Sequence, residues 1–243
     1  MAALRVAVVS DIHGNLHALE AVLADIQSAA ADEVWCLGDV VGYGPRPNEC
    51  CDLIRERVDV SLCGNHDLAV LGALDVEEFS GDAAAAAHWT AGVLGDDQRA
   101  WLGSLEPLAR RPGAQLFHAS ARDPIWEYVL SEQAALASLL ATEEPVVLVG
   151  HSHVALALAW DGETIAGGLA PGSTELELAG RRWLLNPGSV GQPRDGDFRA
   201  AWLLLDGDRA TFRRVDYDIG ATQAEMRDAG LPEPLAGRLA HGI

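Results

Sequence analysis

A chain of 243 residues and 25.7 kDa is long enough to bury a large core, and its length fits a single domain over 1–243. Its 17 basic against 36 acidic side chains leave a formal net charge of −19, which excludes bulk nucleic-acid binding and polybasic attachment to a membrane, since both rest on surplus cations meeting phosphates. With 49% hydrophobic residues the acidity belongs to a folded surface and not to a disordered tail, and no apolar run approaches the roughly 20 residues of a transmembrane helix.

The first residues carry no charged-then-apolar leader, so no secretory signal is expected. Residues 4–10 are apolar and β-branched and predict a buried strand. Residues 15–29 carry helical spacing in Leu16, Leu19, Val22, Leu23 and Ile26. Strands over 33–37 and 58–63 bracket a helix over 47–56, and helices over 68–74, 81–94 and 97–105 follow. A strand over 114–117, a helix over 131–141 and a strand over 145–149 complete this part. The texture then changes: short strands over 154–160, 163–166, 174–178, 182–185, 200–205 and 210–215 are joined by glycine-rich turns such as Asp161-Gly162 and Asp206-Gly207. Helices over 221–229 and 234–240 close the chain. Alternating α/β followed by antiparallel β implies two sheets packed as layers with helices outside. Cys36, Cys50, Cys51 and Cys63 form no C-x-x-C pair and read as reduced, buried, small apolar residues of a cytoplasmic protein.

Five early strands run into polar residues able to bind metal: Asp11-Ile12-His13, Asp39, Asn65-His66-Asp67, His118 and His151-Ser152-His153. The carboxyl ends of strands in an open α/β sheet line one edge, where ligands bind, so these groups can reach one small volume. Asp11 and His13 are two apart, as are His151 and His153, a spacing that points both side chains the same way on an extended backbone. Gly38, Gly64 and Gly150 each precede a candidate ligand and permit sharp exits from the strands. In so acidic a chain, phosphate chemistry would have to rely on bound metal.

In this order the residues resemble the calcineurin-like metallophosphoesterase superfamily, whose motifs D-x-H, G-D, G-N-H-D/E, a lone H and G-H-x-H match Asp11-Ile12-His13, Gly38-Asp39, Gly64-Asn65-His66-Asp67, His118 and Gly150-His151-Ser152-His153. The resemblance implies a four-layer α/β/β/α sandwich of two mixed sheets flanked by helices. It also implies two divalent transition-metal ions per chain, the first held by Asp11, His13, Asp39 and His153, the second by Asp39, Asn65, His118 and His151, with Asp39 bridging. The donors include no thiolate, which suits Mn²⁺ first and Fe, Zn²⁺ or Ni²⁺ as alternatives. A metal-bridging hydroxide would attack phosphorus while His66 acts as general acid on the leaving oxygen. Two dications against two carboxylates leave a local charge of about +2, or about +1 with hydroxide bound. That charge attracts a phosphodiester, the first substrate expectation, and a phosphomonoester as well.

Protein Ser/Thr phosphatases and the related dinucleoside tetraphosphatases extend the second motif to G-D-x-x-D-R-G, whereas residues 38–44 read Gly-Asp-Val-Val-Gly-Tyr-Gly. The Asp that would orient the acid histidine is replaced by Gly42, which disfavours a protein phosphatase, the alternative enzyme. Gly42-Tyr43-Gly44-Pro45 and the loop Asn186-Pro187-Gly188-Ser189-Val190-Gly191 resemble the small single-domain prokaryotic phosphodiesterase/phosphatase branch instead. A non-catalytic metal-binding scaffold on the same fold is the other alternative; eroded ligands would mark it, and every ligand stands here. Specificity would come from Arg122, Trp126, Tyr128 and Arg194, a cationic and aromatic wall for a small phosphorylated substrate such as a nucleotide, although packing or solvation also accounts for these four. His17, His88 and His241 are expected on helix surfaces or in packing contacts. Oligomeric state is left open by the sequence.

Overall fold

The protein is described by a computed structural model over residues 4–243; the first three residues of the expected domain lie outside the described residues. In chain order the elements are β1 (Arg5–Val9), α1 (Leu16–Ser28), β2 (Glu33–Cys36), α2 (Pro47–Arg57), β3 (Val60–Ser61), α3 (Asn65–Val70), a 3₁₀ turn (Val76–Glu78), α4 (Gly81–Val93) and α5 (Asp96–Leu102). There follow β4 (Leu108–Arg111), β5 (Ala114–Phe117), α6 (Glu132–Leu140), β6 (Val146–Leu148), β7 (Leu156–Trp160), β8 (Ile165–Leu169) and β9 (Glu175–Glu177). The chain closes with β10 (Arg182–Asn186), β11 (Ala200–Asp206), β12 (Arg209–Val215), α7 (Ile219–Asp228) and α8 (Glu233–Arg238).

Two six-stranded sheets form, in the orders β3-β2-β1-β11-β12-β9 and β4-β5-β6-β10-β7-β8. Both are mixed. β1 runs parallel to β2 and antiparallel to β11, and β10 runs parallel to β6 and antiparallel to β7. The layering follows from the period of two along each strand. On β1, Val6 and Val8 meet the opposite sheet, where Leu116, Leu148 and Leu185 await them, while Ala7 and Val9 face α1 and α2 through Leu19, Val22, Ile26 and Ile54. The second sheet turns Phe117, Val147 and Leu184 outward onto Ala135 and Leu139 of α6. Strands with apolar residues on both faces need cover on both sides, and the result is the α/β/β/α sandwich expected above.

Several boundaries differ from expectation for identifiable reasons. The helix expected over 68–74 instead begins at Asn65, because the Asp67 carboxylate accepts the Gly64 N–H at 2.9 Å and closes the first turn. The edge strand β4 had no sequence signal: Leu108-Ala109-Arg110-Arg111 is half exposed, and pairing with β5 alone makes it a strand. The strand expected over 163–166 is shifted to Ile165–Leu169, where the Asp161 carboxylate accepts the N–H groups of Glu163 and Thr164 and holds the preceding residues in a turn. The four cysteines are free and buried, and Cys36 on β2 adjoins the β3 segment leading to Cys63. Among the described residues no helix is long and apolar enough to cross a membrane.

The inter-sheet core carries much of the stability, so Phe212→Ala at the fully buried Phe212 should cost about 3–5 kcal/mol, read by urea denaturation, with bound metal unchanged in the folded fraction.

Candidate active site

The loops after β1, β2, β3, β5 and β6 converge on one end of the sandwich, three from one sheet and two from the other. They bury Asp11, His13, Asp39, Asn65, His66, His118, His151 and His153, none more than 5% exposed. The paired motifs reach this point by a route other than the extended one. Asp11 and His13 adopt φ of 54° and 51°, and His151 and His153 adopt 63° and 58°. These are left-handed turn conformations that still bring alternate side chains to one side. Asp39 and Tyr43 share the conformation at 53° and 55°. Such residues cost of order 1–3 kcal/mol each and persist where the surroundings over-determine them. Here the surroundings are backbone hydrogen bonds from Asp11 to Gly38, His13 to Asp39 and Gly14 to Val40, all within 3.0 Å.

The hydrogen-bond accounting defines what the site can hold. His13 Nδ1 lies 3.1 Å from the Val41 carbonyl, His153 Nδ1 2.7 Å from the Gln192 carbonyl, and His118 Nδ1 2.9 Å from the Leu37 carbonyl. A carbonyl only accepts, so each Nδ1 carries the proton and each Nε2 presents a bare lone pair. Yet His13 Nε2 and His153 Nε2 face each other at 3.0 Å, and His118 Nε2 faces Asn65 Oδ1 at 3.1 Å. With the amide nitrogen turned away, that oxygen is an acceptor too. Asp39 Oδ2 sits 3.6 Å from His13 Nε2 and 3.5 Å from His118 Nε2, and His153 Nε2 is 3.4 Å from Asp11 Oδ1. Asp11 Oδ1, Asp39 Oδ2 and His151 Nε2 are buried with no hydrogen-bond partner. Acceptors aimed at acceptors are repulsive unless a cation lies among them.

Two groups satisfy the geometry of a cation site: Asp11, His13, Asp39 and His153, and Asp39, His118 and His151, with donor atoms in each within 4.8 Å of one another. Asp39 belongs to both. The donor set of carboxylate, imidazole and one amide oxygen fits divalent transition metals. Charge follows the same logic. Burial drives the Asp11 carboxyl up to about 7, and Asp39 rises well above the usual carboxylate range through burial first and the charges of Asp67 and Asp11 next. Burial also lowers the imidazoles, His151 to about 4 and His13, His118 and His153 further below the ordinary range. Anionic carboxylates are costly in this enclosure without positive charge.

His66 lies beside this cluster with Nδ1 buried and unpartnered. Its ring is held by aromatic contacts, 4.4 Å from Tyr43, 4.8 Å from Phe79 and 4.9 Å from His13 between centroids. At Gly42 (φ +92°) a Cβ would lie 2.8 Å from His66 Nδ1, so the residue that replaces the motif's Asp also gives the imidazole its room.

The sequence-predicted wall is only partly assembled. Tyr128 stacks on His151 at 4.1 Å while half exposed, and Trp126 stands 5.4 Å from Phe79. Arg194 donates to the Tyr43 hydroxyl at 3.3 Å. Arg122 is exposed and engaged by Glu127, away from the cluster. His17 packs against Glu225 on α7, and His88 and His241 are exposed.

Other residues matter more than the sequence indicated. Asp67 accepts from the Gly64 and Val41 N–H groups and fixes the loops that carry Asn65 and Asp39. The 186–191 loop is a brace: Asn186 Nδ2 donates to the Gly150 carbonyl, Ser189 Oγ to the Asp11 carbonyl, and the Val190 N–H to the Ser10 carbonyl. The Pro-Gly signal marked that loop, but its partners lie far off in the chain, Gly150 by 36 residues and Asp11 by 178.

The profile of the calcineurin-like phosphoesterase superfamily domain matches residues 4–208, and the chain belongs to that superfamily. It is 42% identical to a metallophosphoesterase of Sphaerobacter thermophilus of known crystal structure, which superposes with a TM-score of 0.90 over 99% of this chain and 100% of that one. It is also 37% identical to the uncharacterised protein MJ0912 of Methanocaldococcus jannaschii over 96% of both chains. A symmetrical bis(5'-nucleosyl)-tetraphosphatase of Actinobacillus pleuropneumoniae is 31% identical over 59% of this chain and 53% of its own length, so the chain spans about half of that relative. The protein is a metal-dependent phosphoester hydrolase of two mixed sheets flanked by helices.

Crowding His66 tests the site directly. Gly42→Ala should lower kcat by about 10²-fold through misplacement of the ring, with metal content, measured by elemental analysis, retained.

Proposed function

We propose that the 243-residue chain acts as one catalytic domain that hydrolyses phosphodiesters of small nucleotides, and phosphomonoesters more slowly, with two divalent cations. The first cation is assigned to Asp11, His13, Asp39 and His153, the second to Asp39, Asn65, His118 and His151. The observation that carries this reading is the position of Asp39 Oδ2, unpartnered and within 3.6 Å of His13 Nε2 and 3.5 Å of His118 Nε2: one oxygen shared by two sets of bare nitrogens. When bound, the cations supply Lewis acidity toward the phosphate oxygens and a water of lowered pKa.

The chain's own groups do the rest. Asp11 Oδ2 accepts the His151 N–H at 3.1 Å and Asp39 Oδ1 accepts the His66 N–H at 2.9 Å, so each carboxylate keeps its other oxygen turned inward. The backbone carbonyls at Val41, Gln192 and Leu37 fix the tautomers and ring angles of His13, His153 and His118. His66 in its imidazolium form would deliver a proton to the departing ester oxygen, a form that the anionic substrate must favour because burial first and Arg194 next lower the imidazole well below its ordinary range. Nothing binds its Nδ1, which leaves the ring's orientation to the Tyr43 and Phe79 contacts. Arg194 and the Tyr128 face lie at the rim, where they meet a phosphate group and the base of a nucleotide. The tetraphosphatase relatives support a nucleotide substrate. Mn²⁺ is the first candidate metal, with Fe, Zn²⁺ and Ni²⁺ sharing its donor preferences. The free, buried thiols favour a reducing cytoplasm.

Protein purified without chelator or nickel resin and loaded with Mn²⁺ should contain two metal ions per chain and hydrolyse bis(p-nitrophenyl) phosphate. On a phosphodiester with an alkoxide leaving group, which needs the proton that p-nitrophenolate does not, His66→Asn should keep the metal and lose about 10²–10⁴ in kcat, whereas Asp39→Asn should lose both metal and turnover. Full activity in the His66 variant would overturn the proton-donor assignment, and absence of retained metal would overturn the centre. Chelation should lower the melting temperature, and metal at 100-fold its dissociation constant should restore about 2.7 kcal/mol per site.

A further inference from the structure

The chain has 36 acidic side chains, and most of its guanidinium groups are neutralised by them. Arg46 pairs with Glu225, Arg199 with Asp197, and the buried Arg214 with Asp195. Two guanidinium groups at the rim of the metal cluster behave otherwise. Arg194 donates to Gln192 Oε1 at 2.8 Å and to the Tyr43 hydroxyl at 3.3 Å, and its buried Nε has no partner. Arg238, on the last helix, reaches the same Gln192 Oε1 at 3.4 Å. Among the described residues neither forms an ion pair, so two cations converge on one neutral amide oxygen.

That arrangement is unfavourable as it stands. Burial first, and the charge of Arg194 next, lower the Arg238 guanidinium from its ordinary value; Tyr43 and Asp82 oppose the shift, but Asp82 is not in ion-pair contact. Like charges held together beside a protein surface are retained where an anion completes them, and the planar guanidinium fork matches phosphate oxygens. The pair borders an open groove of about 630 Å³ that also includes Pro234, Gly237 and His241. Arg194 links this groove to the cluster, since it donates to Gln192, whose carbonyl holds His153 Nδ1, and to Tyr43, which packs 4.6 Å from His13. Arg238 makes no hydrogen bond to any residue of the cluster. Its hydrogen-bonded link to the cluster runs through Gln192, which suits a second phosphate beside the one undergoing hydrolysis.

We propose that Arg194 and Arg238 form a second phosphate subsite beside the metal pair, which selects substrates carrying at least two phosphoryl groups, of the nucleoside diphosphate or polyphosphate class. The inference rests on the phosphoesterase site proposed above and narrows its substrate. A single-phosphate ester fills the metal cluster alone; a second phosphoryl group reaches the arginine pair.

The test is calorimetric binding of α,β-methylene-ADP and of AMP to the Mn²⁺-loaded protein, with melting curves confirming that each variant is folded. Arg238→Gln should weaken the diphosphate analogue by about tenfold or more and AMP by less than about threefold, and Arg238→Lys should recover part of the difference. Equal losses for both ligands, or an unchanged ratio of their affinities, overturn the subsite. Hydrolysis of bis(p-nitrophenyl) phosphate by the wild-type protein, run in parallel, separates the two readings. Turnover without the selective loss leaves the phosphoesterase centre standing and removes the subsite; the selective loss without turnover does the reverse.

Discussion

His13 Nε2 and His153 Nε2 lie 3.0 Å apart although each ring has already committed its proton to a backbone carbonyl. His118 Nε2 and Asn65 Oδ1 repeat the conflict at 3.1 Å, and Asp11 Oδ1 and Asp39 Oδ2 point into the same space without a donor. A buried acceptor left unmatched costs roughly 1–3 kcal/mol, and more when it is charged. Folding alone therefore does not satisfy this end of the sandwich. Divalent cations convert the same atoms from mutually repulsive acceptors into ligands, so the fold and its cofactor are thermodynamically linked.

The scaffold keeps those atoms from relaxing apart. Hydrogen bonds run on past the ends of β1 and β2 through Asp11 to Gly38, His13 to Asp39 and Gly14 to Val40, holding the two loops in register where the strands have ceased. Across the sandwich, the Gly150 N–H donates to the His118 carbonyl, and the 186–191 brace ties Gly150 to Asp11 through Asn186 and Ser189. A Cβ on Gly64 would overlap Asp39 Oδ1, so that position tolerates no side chain. Left-handed backbone at Asp11, His13, Asp39, His151 and His153 is the local cost of this convergence, sustained because both apolar faces of the strands beneath are fully covered.

The chemistry was more legible in the sequence than the geometry that delivers it. Asp11, His13, Asp39, Asn65, His118, His151 and His153 stood out because each follows an apolar strand and their types are those of metal donors; all of them converge. The extended-backbone explanation for Asp11/His13 and His151/His153 was incorrect, because φ sign at a non-glycine residue has no local signature and is imposed by the neighbouring loop. The strand at Leu108–Arg111 was hidden for a related reason: only its pairing with β5 makes it a strand. Asp67 was visible as part of a motif but not as the carboxylate that joins Gly64 to Val41. Arg238 gave no signal at all, since its meeting with Arg194 depends on where the last helix docks.

Electrostatics explains how a chain of net charge −19 can serve anionic substrates. At physiological salt, exposed charges farther apart than about 8 Å are largely screened, so the acidic surface contributes little to an ion already at the site. At the site itself the bound cations, Arg194 and Arg238 stand against the buried Asp11, Asp39 and Asp67, in a partly dry setting where Coulomb terms are stronger than in water. Tyr43 joins the two regions: its ring packs on His13 and His66 while its hydroxyl accepts from Arg194. The absence of the motif's Asp at Gly42 has the same consequence. Without a carboxylate partner at this position, His66 gains no added negative charge, and the Tyr43 ring packed on it also holds Arg194, the arginine proposed to meet phosphate. Gly42 and Tyr43, adjacent in the chain, thereby set the position of His66 and the charge of the surface beside it.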